Sequence, residues 1–332
     1  VEHVIKDIDA VHKHLTTLQN LADDGRRKGL VEIDTGRLNI VPDERQAFYA
    51  AYQWLACGMK SIFLQDANSL IIKPSDLIII LDHLKKCFPR TERITSYARS
   101  HTVARITDSD LFAIRAAGLN RIHIGLESGS DKVLELVKKG VSKETQVKAG
   151  QKAKKAGFEL SEYVMPGLGG AGLSREHAIE TADALNRINP DFIRLRTLAI
   201  PKNIGLYDEY IAGRFEKCTD LMMAREILLF IENLNGITST IKSDHILNLF
   251  EDVEGELPRD KEKITGVLSS FLDMPQEEQI KYQIGRRLGI FSRLADMKDP
   301  KRIENAENMC IRFGITPGNV DKIVDELMQR FV

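Results

Sequence analysis

The chain has 332 residues, of which 43% are hydrophobic and 29% charged, and its formal net charge is -1. That length suits two compact units or one large α/β domain with an appendage, and the composition excludes wholesale disorder. The even charge disfavours nucleic acid and membrane-surface partners, and the longest apolar runs, such as 77–81, fall far short of the ~20 residues that a membrane-spanning helix needs.

The chain opens on Val1, and Val4, Ile5, Ile8, Val11, Leu15 and Leu18 follow at helical spacing with no capping residue ahead of them. The reading is an amphipathic helix that begins inside a fold whose first piece lies upstream; no signal peptide is visible. Residues 22–29 read as a polar loop, and about 42–57 as a second helix carrying Trp54. A unit of helix, small residue, glycine and strand then recurs at Gly58, Gly118 and Gly157, before strands near 61–64, 121–127 and 160–164. A glycine just past a helix end takes the left-handed cap and turns the chain back. Two further helix-to-strand passages use Pro89 and Pro190, ahead of strands near 94–97 and 192–195.

Five strands alternating with helices predict an α/β fold on a parallel sheet, either open and doubly wound or rolled into a barrel. Ile122, Ile124 and Leu126 share one strand face while His123, Gly125 and Glu127 share the other; Thr95, Tyr97 and Arg99, and Arg194 with Arg196, repeat the polar face. One apolar and one polar face favour a barrel with a ligand-binding lumen, since an open sheet covered on both sides would be apolar on both. Beyond about residue 220 the strand signal fades. A helix near 221–234 and several short helices over 258–332, broken at Pro275, Gly289, Pro300 and Pro317, predict a small helical unit over 251–332 after a barrel over 1–250.

Reactive groups of βα barrels collect at the C-terminal strand ends. Those ends carry Gln65-Asp66-Ala67-Asn68, Arg99-Ser100-His101, Glu127-Ser128-Gly129-Ser130, the Met165–Gly170 stretch and Arg196-Thr197. Acidic, amide and hydroxyl groups facing arginines suit a zwitterionic, ribose-bearing ligand. Glu127 also reads as a simple helix-capping carboxylate, and His123 as either a lumen residue or a structural histidine. His12 and His14 point to different helix faces. Cys57, Cys87, Cys218 and Cys310 are widely spaced, which argues against a disulfide framework, for a reducing cytoplasm, and for small core fillers.

The stretch 122–134, Ile-His-Ile-Gly-Leu-Glu-Ser-Gly-Ser-Asp-Lys-Val-Leu, running on to Ser142, resembles the fourth strand and following helix of radical S-adenosylmethionine (SAM) enzymes. The branch is the broad one that includes oxygen-independent coproporphyrinogen oxidases and the Elongator catalytic subunit. The 63–70 and 163–170 stretches are similar to that family's second-strand motif and fifth-strand loop, and the likeness covers roughly residues 1–250. The resemblance implies a partial (β/α)6 TIM-like barrel whose first strand is missing from this sequence. It implies that Gln65, Asp66 and Asn68 hold the methionyl amine, and that Glu127 and Ser128 contact the ribose or methionyl part. Lys139 would be a carboxylate partner, and Tyr97 and Arg99 would line the third-strand wall. Met165, Pro166 and Gly167 would flank adenine, and Arg194, Arg196 and Thr197 would face SAM or an anionic substrate. The implied cofactors are SAM and a [4Fe-4S] cluster held by a Cys-x3-Cys-x2-Cys loop, which is absent here and expected upstream of Val1. The implied electron donor is a flavodoxin or ferredoxin. A barrel that binds SAM or a nucleotide without a cluster is the rival reading, and a lyase lacks an inward Schiff-base lysine.

Overall fold

The computed structural model describes residues 1–27 and 40–331. Seven strands form one sheet in chain order: β1 (Ser61–Leu64), β2 (Arg93–Ala98), β3 (Leu119–Glu127), β4 (Glu159–Val164), β5 (Phe192–Leu195), β6 (Thr240–Lys242) and β7 (Gly255–Glu256). Pairing is parallel between β1 and β2, β4 and β5, and β5 and β6, whereas β7 runs antiparallel to β6. Sheet neighbours are sequence neighbours, so right-handed crossovers place their helices on one side. This is the connectivity of a partial (β/α) barrel, not of a doubly wound sheet whose order reverses midway.

All five expected strands form. The sheet adds β6 and β7 in the region where no strand was expected, and the reason is length: β6 has three residues and buries one side chain, Ile241, which gives no alternation to read. The chain divides into two compact units within β3, one of Val1–His123 with Lys155–Phe158 and one of Ile124–Lys154 with Glu159–Val332.

In the first unit, α1 (Glu2–Arg27) buries Ile8, Leu15 and Leu18, while Val1 and Val4 stay exposed. The expected loop over 22–29 is corrected in part: the helix continues to Arg27, and the remainder lies outside the described residues. One glycine inside a helix costs only about 1 kcal/mol, too little to stop a long helix that meets no proline. His14 is buried edge-on to Phe48 and 3.0 Å from Glu44, and His12 lies exposed on another face. A 3-10 turn, Pro42–Glu44, leads into α2 (Arg45–Ala56). α3 (Pro74–Cys87) starts on proline, has Asp76 in its first turn and Lys85 and Lys86 in its last, and so complements its own dipole. It buries Leu77, Ile80, Leu81 and Leu84, one stripe worth about 2 kcal/mol per side chain. After β2 come α4 (Ser100–Arg105) and α5 (Asp108–Ala117), the latter capped by Thr107, whose hydroxyl accepts from the Asp110 N–H at 3.1 Å.

In the second unit, α6 (Asp131–Leu136) is capped by Ser130, and α7 (Lys143–Lys155) presses Gly150 against Ile188, where a Cβ would come within 2.6 Å. α8 (Gly170–Ile188) ends at Asn189 in the left-handed conformation, whose side chain accepts from the Thr238 N–H at 2.9 Å. α9 (Gly205–Ile211) and α10 (Asp220–Glu232) follow β5. The expected helical stretch resolves into α11 (Lys261–Leu272), α12 (Gln276–Arg287), α13 (Pro300–Arg312) and α14 (Val320–Met328). Phe250, Phe271, Tyr282 and Phe291 pack with ring centroids 5.1–5.9 Å apart at its centre. Arg287 donates at 2.6 Å both to Asp220 at the start of α10 and to the Leu247 carbonyl. Among the described residues no helix is long and apolar enough to cross a membrane.

Candidate functional site

The strand ends of the first unit present an aromatic wall followed by polar groups. In register, Phe63 lies opposite Thr95, so Phe63 and Tyr97 share a face. Their ring centroids are 5.0 Å apart, and the His123 ring lies parallel to Phe63 at 5.8 Å and tilted to Tyr97 at 5.6 Å. Phe63 and Tyr97 are more than one-third exposed, an unusual state for large rings set beside each other, and one suited to covering a flat ligand. Gln65, Asp66 and Arg99 are exposed. Asn68 is not: it is buried, accepts from the Arg99 N–H at 2.9 Å and donates to Thr102 at 3.0 Å. It fixes the loop after β1 against the start of α4.

In the second unit the end of β3 carries the most constrained backbone. Glu127 has φ 62, in the left-handed region that a non-glycine residue seldom occupies. Its carbonyl accepts from the Met165 N–H at 3.0 Å, and its carboxylate forms an ion pair with Lys139, both side chains about one-quarter exposed. Gly125 makes room for that pair, since a Cβ there would stand 2.9 Å from Glu127 Oε1 and 3.4 Å from Lys139 Nζ. Nearby Glu162 on β4 is fully buried, with one carboxylate oxygen unpartnered. Burial drives its acid well above the ordinary range, against the pull of Lys139 and the Leu126 N–H.

Behind the strand ends lies a buried polar network. Ser128 is wholly buried, and its hydroxyl faces His177 Nδ1 at 2.8 Å, while His177 Nε2 faces the Met165 carbonyl at 3.1 Å. One tautomer serves both contacts: Nε2–H donates to the carbonyl and Nδ1 accepts from the hydroxyl. Burial lowers the His177 pKa to about 4, partly offset by the bond to Met165. Glu226 on α10 accepts from the Gly167 N–H at 2.7 Å and from Ser174 at 2.5 Å, and burial raises it to about 7 despite those bonds. Pro166 and Gly167 are buried and Met165 half-buried, so this network fixes the loop that Met165 presents.

At the end of β5, Arg194 and Arg196 share Asp244, the latter at 2.8 Å, and Arg196 lies 4.9 Å over the Tyr163 ring. Burial pushes Asp244 up, but the bond from Arg196 and the two guanidinium charges outweigh it and hold it low. Thr197 is turned inward: its N–H and its hydroxyl both donate to Asn248 at 3.0 Å.

The expected residues thus fall into two kinds. Gln65, Asp66, Tyr97, Arg99, Glu127, Lys139 and Met165 present side chains at strand ends, whereas Asn68, Ser128 and Thr197 are spent on holding loops. Sequence reasoning missed His177 and Glu226, which act from 49 and 59 residues away, and gave no role to Asn248, which acts from 51 within a stretch, 243–248, that resembles a family motif. It also passed over Phe63, whose alternation with Gln65 on β1 was the available signal.

Residues 49–185 match the family described as the Radical SAM superfamily. A curated relative, the tRNA uridine(34) acetyltransferase of Methanocaldococcus infernus, is 27% identical over 100 residues, 30% of this chain and 19% of that protein. Among solved structures, the archaeal Elp3 of the same organism with residues 1–46 deleted has a TM-score of 0.47 at 16% identity, covering 60% of this chain and 53% of that one. Coproporphyrinogen III oxidase from Escherichia coli, a radical SAM enzyme, has a TM-score of 0.43 at 16% identity, covering 53% of this chain and 40% of that one. The chain therefore spans about a fifth of the curated relative and between 40% and 53% of these solved ones. What these comparisons establish is a likeness to the radical SAM superfamily over residues 49–185.

Proposed function

We propose that this chain binds S-adenosylmethionine at the C-terminal end of β3 and works in an enzyme that cleaves that cofactor reductively to act on a further substrate. The observation that carries the reading is the Glu127–Lys139 pair lying in the space that Gly125 leaves open. A carboxylate and an ammonium side by side, each partly shielded from water, match a zwitterion in both signs: Glu127 takes the α-amino group and Lys139 the α-carboxylate. His177 and Glu226 hold the Met165 carbonyl and the Gly167 N–H, which fixes the loop whose Met165 N–H bonds the Glu127 carbonyl.

The superfamily's [4Fe-4S] cluster supplies the cleaving electron and needs three converging thiolates. The chain's own cysteines do not fit it: Cys57 is exposed, Cys87 and Cys310 are half-buried, and buried Cys218 has its thiol pushed up to about 12 by burial. No step is therefore assigned to them. Arg194 and Arg196 share one aspartate, leaving one net positive charge at the end of β5 for a substrate anion.

The test is equilibrium binding of S-adenosylmethionine to anaerobically purified protein, with iron and sulfide measured on the same sample. Saturable binding is expected, weakened about tenfold or more in Lys139→Met, the worth of one charge-assisted hydrogen bond. Absent binding, or equal affinity in wild type and variant, would overturn the reading.

A further inference from the structure

The first unit holds a second group of chemistry-bearing side chains, on the helices and away from the strand ends. His83 and Cys87 sit one turn apart on α3, so they share a face, and Asp9 of α1 reaches the same point. His83 Nε2 is 2.7 Å from Asp9 Oδ1 and 3.5 Å from Cys87 Sγ, and one ligand atom from each residue lies within 4.8 Å of the others. Two groups thus converge on a single ring nitrogen, which has one proton or one lone pair to offer. As a donor to Asp9 it leaves Cys87 a long, poor second contact.

We propose that Asp9, His83 and Cys87 form a divalent-metal site suited to zinc, unrelated to the radical chemistry. Zinc bound tetrahedrally has metal–nitrogen bonds of about 2.0–2.1 Å and metal–sulfur bonds of about 2.3 Å, which sets nitrogen and sulfur about 3.5 Å apart. The separation of Nε2 and Sγ already has that value. Nitrogen and oxygen ligands stand about 3.3 Å apart in the same geometry, so Asp9 has to withdraw by roughly 0.6 Å. Its side chain is 56% exposed and free to do so. On binding, the thiol proton leaves to solvent, Nε2 offers its lone pair with the ring proton on Nδ1, and the carboxylate exchanges its hydrogen bond for a metal bond. Asp9 and His83 are both solvent-accessible, at 56% and 29% side-chain exposure, so water can supply the fourth ligand. Three protein ligands with one open position make an exchangeable site.

The full chain, stripped with a chelator and reduced, is titrated with cobalt(II) and back-titrated with zinc. One cobalt per chain is expected, with a thiolate-to-cobalt charge-transfer band and the visible bands of a four-coordinate ion, all displaced by zinc. Losing an outer-shell partner alone costs a metal site about 10–100-fold, so Cys87→Ser should abolish the charge-transfer band and weaken zinc by about a hundredfold. Asp9→Asn, at an exposed side chain that does not threaten the fold, should weaken zinc while keeping the sulfur band, and Cys57→Ser should change nothing. No charge-transfer band, a band that survives Cys87→Ser, or a band lost in Cys57→Ser would overturn the site.

Discussion

Glycine 125 matters for the volume it withholds. A methyl group there stands 2.9 Å from a Glu127 carboxylate oxygen, so Gly125→Ala must push the ion pair off its position. Glu127 cannot swing away freely, because its left-handed backbone and its bond from the Met165 N–H fix where the side chain starts. We expect Gly125→Ala to weaken S-adenosylmethionine binding about tenfold with less than about 1 kcal/mol lost in unfolding free energy; calorimetric binding and urea denaturation on the same variant check this.

The buried pair His177 and Glu226, 3.6 Å apart, gives a pH signature with opposed signs. Glu226 is raised from 4.5 to about 7, so its contribution to stability is full below 4.5 and is lost as pH rises through about 7. His177 is depressed from 6.5 to about 4, so its contribution is full above 6.5 and is lost as pH falls through about 4. The two slopes oppose each other between, and wild-type stability should vary little from pH 5 to 6.5. Glu226→Gln removes one slope: its unfolding free energy should fall on acidification, and at pH 8 it should exceed wild type by up to about 3 kcal/mol. Urea melts at pH 5, 6.5 and 8 decide; parallel curves would refute the assignment.

Among the elements, the loop that leaves β3 packs tightly against the backbone of α8. A Cβ on Gly129 would meet the Glu180 carbonyl at 2.3 Å, and the Gly129 N–H is satisfied by Thr181 at 2.9 Å. Both neighbours are helix atoms that cannot turn aside, so Gly129→Ala should cost about 2 kcal/mol or more by forcing strand end and helix apart, measured by denaturant midpoint.

That contact also shows what the sequence discloses and what it conceals. The turns at Gly58, Gly118 and Gly157 were legible because a left-handed cap is a local demand, and all three residues take positive φ. Glu127 was placed on the polar strand face by alternation and Lys139 was named from family resemblance, but their pairing with each other was not read from the sequence. Ser128 was expected at the ligand and is instead closed over by His177, from a helix 49 residues on. Thr197 is claimed by Asn248 in the same way. A strand-end hydroxyl looks alike in sequence whether it faces a ligand or a helix, and the residue that decides lies on an element whose docking no short window contains.

Across the second unit, the C-terminal helices are tied to the strand-bearing part by a buried charge pair. Arg287 and Asp220 are almost wholly enclosed. Arg287→Met leaves an uncompensated buried carboxylate and should cost about 3–5 kcal/mol, whereas adding Asp220→Leu should recover most of the loss. A double-mutant cycle in urea measures both; a double-variant loss equal to the sum of the two single losses would mean the pair contributes no coupling.

The strand order has a consequence for how the molecule is made. Because β1 through β7 lie side by side in the order in which they are translated, each strand leaving the ribosome finds its neighbour already in place. No edge has to wait for a distant segment, so loop-closure entropy is met in small instalments and exposed backbone ladders are short-lived. Growth by accretion of this kind lets a long parallel sheet form without the kinetic traps of sheets whose central strands are made last.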